Sequence, residues 1–294
     1  MTSVSHSSPG AAPRTTLFAR LIKVEHSVYA LPFAYAGAFL AAAGWPGLSD
    51  IFWITVAMVA ARSAAMALNR LIDADIDARN PRTAGRELPA GRLARGEVVA
   101  FTVISLGVLV VSTLFLSAPC RYLWPIVVAA FIVYPYTKRF TWFCHYALGL
   151  TDGLAPAAAW VAVTGRIALA PVLLFLAVGL WVGGFDVIYA IFDRDFDRRE
   201  GIHSLPVAIG WRRSLLVALL SHVAAVLLLI AVGPLLGLPP LYYAGCLVVA
   251  VLLAWSHVDI ARRGLARVGM GFMTVNGVVS LVYGVVAIAA ALLS

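Results

Sequence analysis

Seven of the 14 Asp and Glu residues in this 294-residue chain fall in two short windows, each at the end of a long apolar run. The first reads Asn69-Arg70-Leu71-Ile72-Asp73-Ala74-Asp75-Ile76-Asp77. The second reads Asp186-Val187-Ile188-Tyr189-Ala190-Ile191-Phe192-Asp193-Arg194-Asp195-Phe196-Asp197. A carboxylate beside hydrocarbon costs several kcal/mol unless it is paired, wetted or metal-bound. Residues four apart on a helix share a face, about 6 Å apart along the axis. Asn69, Asp73 and Asp77 therefore form one stripe, and Asp186, Tyr189, Asp193 and Asp197 another. Like charges at this spacing repel, and a divalent cation reverses the sign of that penalty. The stripes offer oxygen ligands and neither His nor Cys, which points to a hard metal, Mg²⁺. That ion takes one or two carboxylates and shares its remaining sites with water and substrate phosphate. Two facing acidic stripes read as a diphosphate clamp at a membrane surface. Asp75 and Asp195 point away from the stripes and are expected to be solvated or paired with arginines.

The elements that must carry these stripes are apolar. The chain is 62% hydrophobic and 12% charged, with mean hydropathy +0.92. That composition excludes a soluble globular domain and predicts an all-α, polytopic membrane protein. Nine apolar runs are expected, at about 27–45, 51–72, 97–117, 122–137, 144–164, 168–192, 214–233, 237–257 and 269–293, each near the ~20 residues that span a bilayer. Basic residues cluster in every second connection, while the alternate connections hold only Arg121 and Arg166. The positive-inside rule then places the N-terminus and both acidic stripes on the cytoplasmic side of the cell membrane. The net charge of +8 thus reports topology, not nucleic-acid binding. Residues 1–16 are expected to be a disordered tail and not a signal peptide, with a single transmembrane domain over 17–294. Cys120, Cys144 and Cys246 are scattered and give no disulfide or zinc framework.

The Asp73-x-Asp75-x-Asp77 pattern recurs as Asp193-x-Asp195-x-Asp197, four spans later, which preserves direction and makes the two halves candidate parallel repeats. Asn80-Pro81 is expected to end the second span. Arg82 and Arg86 follow in a polar loop beside the first stripe. They read equally as donors to an anion and as an ordinary solvated inner loop. Arg62 lies two turns before Asn69 on the same face, roughly 10 Å deeper. An intramembrane arginine is a functional candidate by default; the alternative is a structural pairing with an acidic residue or with backbone carbonyls. Asp152, in the fifth run, reads as a helix-end hydrogen-bonding residue more than a substrate contact. His26, His145 and His203 lie near the inner surface without the spacing of a zinc site, and His222 and His257 read as packing or interfacial residues. A competing class is an ion-coupled transporter using the same carboxylates. Both stripes end at one face beside donor-rich loops, which suits an anionic headgroup better than a conduit.

The paired motifs Asn69-x-x-x-Asp73-x-x-x-Asp77 and Asp186-x-x-Tyr189-x-x-x-Asp193-x-x-x-Asp197 resemble those of the UbiA superfamily of intramembrane prenyltransferases, as does the segment Tyr134-Pro-Tyr-Thr-Lys138-Arg139. The similarity covers about residues 17–292. Lys23-Val-Glu-His26-Ser-Val-Tyr-Ala-Leu-Pro32-Phe, Ala67-Leu-Asn69-Arg70-Leu-Ile-Asp73 and Gly201-Ile-His203-Ser204-Leu-Pro206 are similar to the 4-hydroxybenzoate polyprenyltransferase branch, and especially to its menaquinone-pathway (futalosine-route) members. One departure is Arg70, where many family members carry Asp. The resemblance implies transfer of a polyprenyl group from polyprenyl diphosphate to an aromatic acid, 4-hydroxybenzoate or 1,4-dihydroxy-6-naphthoate, in ubiquinone or menaquinone synthesis. Asp73 and Asp77 would hold one Mg²⁺ and Asp193 and Asp197 a second, with Asn69 completing the first site. Lys138, Arg139, Arg82 and Arg86 would neutralise the leaving pyrophosphate. Tyr189 and Asp186, deeper on their stripe, would face the allylic cation. Arg62, at the position of an arginine of that branch, would bind the acceptor's carboxylate.

Overall fold

The computed structural model describes the backbone of residues 13–263 and 269–294, and side chains over the same ranges apart from 24–29, 263 and 269–274. Among the described residues the regular elements are α-helices: α1 (Arg14–Ile22), α2 (Val24–Ala42), α3 (Leu48–Arg79), α4 (Arg95–Leu114), α5 (Cys120–Thr137), α6 (Cys144–Thr164), α7 (Leu169–Glu200), α8 (Leu205–Ile209), α9 (Trp211–Leu236), α10 (Pro240–Arg263) and α11 (Gly269–Leu293). Residues 1–12 of the expected tail lie outside the described residues. Arg14, Thr15 and Thr16 correct its boundary, because they already belong to α1, which buries Leu17 and Leu21. The side chain of His26 and residue Arg267 also lie outside the described residues.

Each expected apolar run coincides with a helix of 18 residues or more among the described residues. Seven of these are long and apolar enough to cross a membrane: α3, α4, α6, α7, α9, α10 and α11. Ala30–Ala42 of α2 is a shorter apolar stretch, and α5 carries Arg121 with two internal prolines, Pro125 and Pro135. Among the described residues the count by length and composition is seven, with residues 24–29 of α2 outside it, against the nine runs expected. The chain is a multi-pass membrane protein.

Helices α3 and α7 have 32 residues each. At 1.5 Å per residue such a helix is about 48 Å long, well beyond a hydrocarbon core of about 30 Å. Each therefore exceeds that core by about 18 Å, and Asp73, Asp77, Asp193 and Asp197 lie in the part that follows the apolar run. Proline and glycine set where they stop. Pro81 holds Asn80 in an extended conformation (φ −87°, ψ 118°) and ends α3. Gly201 adopts the left-handed conformation (φ 67°) and returns its N–H to the Asp197 carbonyl, ending α7. The two ends meet, with Arg79 Nε 2.6 Å from Glu200 Oε2.

The segment 80–94 between α3 and α4 is packed rather than loose. Leu88 and Leu93 are buried with Leu17 and Leu21 of α1 and with Ala67 and Ala74 of α3. Arg14 Nη1 donates to the Arg92 carbonyl at 2.8 Å. The main core lies on the other side of the bundle, among α2, α6, α7, α9, α10 and α11. There α6 and α7 approach through reciprocal small residues, Gly149 and Gly153 against Gly179 and Gly183. A Cβ on Gly149 would sit 2.1 Å from the Gly179 carbonyl oxygen, and one on Gly153 2.3 Å from that of Phe175. Apolar helices gain little from burial against one another in lipid, so close backbone approach at small residues supplies the association.

Candidate active site

Four acidic side chains from the ends of α3 and α7 meet a set of cations drawn from three segments. Asp73 is 3% exposed, which its neutralised state explains: Lys138 Nζ stands 2.7 Å from its Oδ2, and Asn69 Nδ2 donates to the same oxygen at 3.0 Å. Its Oδ1 is buried with no hydrogen-bond partner, Arg139 Nη2 lying 3.6 Å away. Arg139 is held in place by donating to the Ile72 carbonyl at 2.8 Å and by stacking over Tyr136. Asp77 takes Arg86 Nη1 at 2.6 Å, with the buried Arg70 at 3.9 Å. Asp193 is gripped by both nitrogens of the Arg82 fork, Nε at 2.9 Å and Nη2. Asp197 is buried, and no cation lies within ion-pair range of it among the described residues. Asp75 is mostly exposed and pairs with Arg95 at 3.0 Å, and Asp195 is exposed, as expected for positions off the stripes.

Local chemistry aims the loop cations. Asn80 Oδ1 accepts from the Arg82 N–H at 2.9 Å, and Thr83 Oγ1 donates to the Asp77 carbonyl at 2.9 Å. This turn folds the chain back over the end of α3 and delivers Arg82 and Arg86 to the two stripes. The Asp193 hydrogen bond holds the Arg82 guanidinium above its ordinary pKa despite partial burial, so it stays charged. Lys138 is steadied through its backbone, whose carbonyl accepts from the His203 N–H at 2.8 Å.

Asp186 and Tyr189 have partners of their own. Asp186 Oδ2 lies 2.7 Å from Nδ1 of His145, a residue 3% exposed at the start of α6. The Leu205 N–H donates to His145 Nε2 at 3.2 Å, which leaves Nδ1 to carry the proton and donate it to Asp186. Asp186 is therefore tied to α6 and α8 while still within the field of Arg82, the cation that grips Asp193. Tyr189 sits edge-on to Phe185, with ring centroids 4.9 Å apart. No three of the described His, Cys, Asp or Glu side chains converge as a ready metal cage. What the residues offer a hard cation is different: carboxylate and amide oxygens from two helix ends, one of them, Asp73 Oδ1, buried without a hydrogen bond. That donor set fits Mg²⁺ shared with a phosphate ligand.

A cavity of about 460 Å³ lies directly behind the stripes. Ala57, Ala61 and Ala65 line it from α3, and the same fourfold spacing continues into Asn69, Asp73 and Asp77. Phe175, Val178, Val182 and Phe185 line it from α7 and run on into Tyr189 and Asp193. From Pro171 to Phe185 the lining covers about 21 Å of helix. Arg62 also lines it and is paired with Asp152 on α6 at 3.0 Å, a partner given only a local role in the sequence. Two features escaped the sequence reading. The Arg62–Asp152 and His145–Asp186 pairs join residues 90 and 41 positions apart, which no spacing rule reaches. The Gly149-x-x-x-Gly153 and Gly179-x-x-x-Gly183 patterns were the available signal that α6 packs closely on α7.

Known proteins match this arrangement over most of the chain. A 4-hydroxybenzoate octaprenyltransferase of Edwardsiella ictaluri is 31% identical over 262 residues, covering 88% of this chain and 91% of the relative. The enzyme of the same name from Marinobacter nauticus is 32% identical over 251 residues, 84% of each chain. Among solved structures, a UbiA homologue from Aeropyrum pernix K1 superposes with a TM-score of 0.83 at 34% identity, over 90% of this chain and 98% of that one. A UbiA homologue from Archaeoglobus fulgidus, solved with DMAPP and Mg²⁺, shares the fold at a TM-score of 0.65 and 15% identity, over 92% and 99%. Residues 30–278 match the UbiA prenyltransferase family, and the chain belongs to it.

Proposed function

We propose that the protein transfers a polyprenyl group from polyprenyl diphosphate to an aromatic acid, 4-hydroxybenzoate or 1,4-dihydroxy-6-naphthoate, in quinone biosynthesis. The observation that carries this reading is the continuity of two helix faces. The apolar lining of the cavity on α3 and α7 becomes, one turn further on, the acidic stripes with their cations. A molecule with an apolar tail and a diphosphate head matches that sequence of surfaces. The curated relatives' name for their acceptor and the Archaeoglobus homologue's bound DMAPP and Mg²⁺ agree with it.

In this mechanism the carboxylates of Asp73, Asp77, Asp193 and Asp197, with Asn69, would hold Mg²⁺ shared with the diphosphate. The metal would neutralise negative charge as the allylic C–O bond breaks. Lys138, Arg139, Arg82 and Arg86 are salt-bridged to those acids and stand ready to take up the leaving pyrophosphate. Tyr189 and Phe185 turn ring faces to the developing allylic cation, and Asp186, fixed by His145, adds a negative charge near it. The tail lies in the cavity, which keeps water from the cation. Arg62 and Asp152 hold the aromatic acceptor within the same cavity. The stripes and the loop 80–94 face the cytoplasm, following the distribution of basic residues.

The test is prenyl transfer by the protein in lipid nanodiscs, with Mg²⁺, a long-chain prenyl diphosphate, and either acceptor. Transfer to 4-hydroxybenzoate places the enzyme in ubiquinone synthesis, and transfer to the naphthoate places it in menaquinone synthesis. Transfer to neither contradicts the aromatic-acid reading.

A further inference from the structure

The arginines at the inner helix ends divide into two groups. Those around the acidic stripes, among them Arg79, Arg82, Arg86, Arg95 and Arg139, are each in ion-pair contact with an acid. At the inner ends of α9 and α10, Arg212, Arg213 and Arg262 are exposed, and among the described residues no acid lies within ion-pair range of them. Asp259, near the same end of α10, is itself engaged. Membrane topology calls for cations at inner ends, but not for their placement on particular helix faces. Here they terminate apolar rows. On α9, Arg213, Leu216, Leu220, Val223 and Leu227 are all exposed and follow one another at intervals of three and four residues, which is one helix face. On α10, Val251, Trp255, Val258 and Arg262 repeat the pattern in the opposite direction.

The two rows share one outer face. His222 Nδ1 stands 2.9 Å from His257 Nε2, and Ala218 and Ile260 are buried in one cluster, which fixes α9 and α10 as antiparallel neighbours in register. Arg213 precedes His222 and Arg262 follows His257, by about 14 Å and 8 Å of helix toward the inner surface. At 3.6 residues per turn, both rows lie about 100–180° round from the histidines, and in an antiparallel pair equal turns lead to the same side. Arg212 stands at the edge of this face, its guanidinium 5.2 Å from the centre of the Trp211 ring. From Leu216 to Leu227 the apolar part is about 16 Å long, half of a hydrocarbon core of about 30 Å. That profile matches one phospholipid of the inner leaflet, with chains along the rows and a phosphate at the arginines. A zwitterionic headgroup carries its own ammonium, whereas an anionic one leaves its phosphate to the guanidinium forks. We propose that the outer face of α9 and α10 binds an anionic phospholipid, held by Arg212, Arg213 and Arg262. Val187 and Ile188 of α7 belong to the same buried cluster as Ala218 and Ile260, so lipid bound here braces the helix that carries the second stripe. The proposal does not depend on the prenyl-transfer reading.

The experiment is native mass spectrometry of the full chain in detergent, titrated with phosphatidylglycerol or with phosphatidylcholine of the same acyl chains. A basic residue near the surface is worth about fivefold toward an anionic lipid, so the wild type is expected to bind phosphatidylglycerol at least about tenfold more tightly. In the Arg212→Gln, Arg213→Gln, Arg262→Gln triple variant the preference should shrink to within about threefold. Arg198 and Arg199 are the control: they are exposed and without an ion-pair partner among the described residues, but they follow the acidic turns of α7 and not an apolar row. The Arg198→Gln, Arg199→Gln variant is expected to keep the preference. Equal wild-type affinity for the two lipids overturns the proposal, as does a preference unchanged in the triple variant. A preference lost equally in the control overturns it too, because net charge would then be the cause. Glycerophosphoglycerol, the same headgroup without chains, should not displace the lipid; displacement would mark a site for free phosphate esters and refute the lipid. If the triple variant does not insert, Arg262→Gln alone decides, with a loss of about fivefold expected and no loss refuting.

Discussion

Replacing Arg82 separates the cost of a salt bridge from the contribution of a cation to the reaction. The side chain is 54% exposed and grips Asp193 with both arms of its fork. An exposed pair contributes about 0–1 kcal/mol to folding. Leu88 and Leu93 still anchor the loop when it is lost. Arg82→Gln should therefore lower stability by less than about 1 kcal/mol, a fall in Tm of no more than about 4 °C. A donor aimed at charge developing in a transition state is worth far more, about 2.7–4 kcal/mol or 100- to 1,000-fold in rate. Lys138, Arg139 and Arg86 share the task, so the lower end applies, about a 100-fold loss in prenyl transfer. Arg82→Lys keeps the charge and loses the fork, and is expected near a tenfold loss. Because Asp193 holds the Arg82 pKa above its ordinary value, the guanidinium is charged below that raised value. The deficit should therefore be constant from about pH 6 to pH 9. The assay is initial-rate transfer with saturating acceptor, beside thermal unfolding of the same preparations. An Arg82→Gln enzyme within about threefold of wild type would show that Arg82 only straps the loop to Asp193, and would refute the role given to it.

Other substitutions probe the scaffold and the stripes. Gly149→Ala places a methyl 2.1 Å from the Gly179 carbonyl and forces α6 from α7; a loss of about 1–3 kcal/mol, read as a lower Tm, is expected. His145→Leu leaves both the Asp186 carboxylate and the Leu205 N–H without their partner, and should cost about 1–3 kcal/mol for each group, whereas His145→Gln can restore one of the bonds. Thermal unfolding of the two variants side by side checks the order. Asp75→Asn and Asp195→Asn alter carboxylates off the stripes, and transfer rates within about twofold of wild type are expected, since isolated surface changes have small effects.

Much of this molecule is readable from local rules. Asn80-Pro81 ends α3 where the conformational limits on a residue before proline require it. The fourfold spacing of Asn69, Asp73 and Asp77 puts Asn69 on Asp73 at 3.0 Å. Helix positions follow from apolar runs, because hydropathy and length are properties of contiguous residues. The end of α7 at Gly201 was less legible, and the apolar runs understate both long helices. The second and sixth apolar runs stop at 72 and 192, yet α3 and α7 continue to Arg79 and Glu200, since a helix outlasts its apolar segment when salt bridges such as Arg79–Glu200 neutralise the projecting turns. Loop 80–94 read equally as a cap on a polar cavity and as an ordinary solvated loop, and its packing depends on Leu88 and Leu93 meeting α1, a contact between segments. Arg62–Asp152 and His145–Asp186 were invisible for the same reason. Each is fixed by how α6 lies against α3 or α7, and the α6–α7 approach is decided by glycines that bear no chemistry of their own.

The central claim is that the two acidic stripes act together as one Mg²⁺-dependent diphosphate site at the mouth of an apolar cavity. The most direct measurement is binding of a prenyl thiodiphosphate to the protein in nanodiscs, with Mg²⁺ and with chelator, in wild type, Asp73→Asn, Asp193→Asn and the double variant. The account predicts Mg²⁺-dependent binding in wild type, weaker binding in each single variant, and none in the double variant, whose Tm no longer rises with ligand. Equally tight binding in the presence of chelator, or in the double variant, would contradict it.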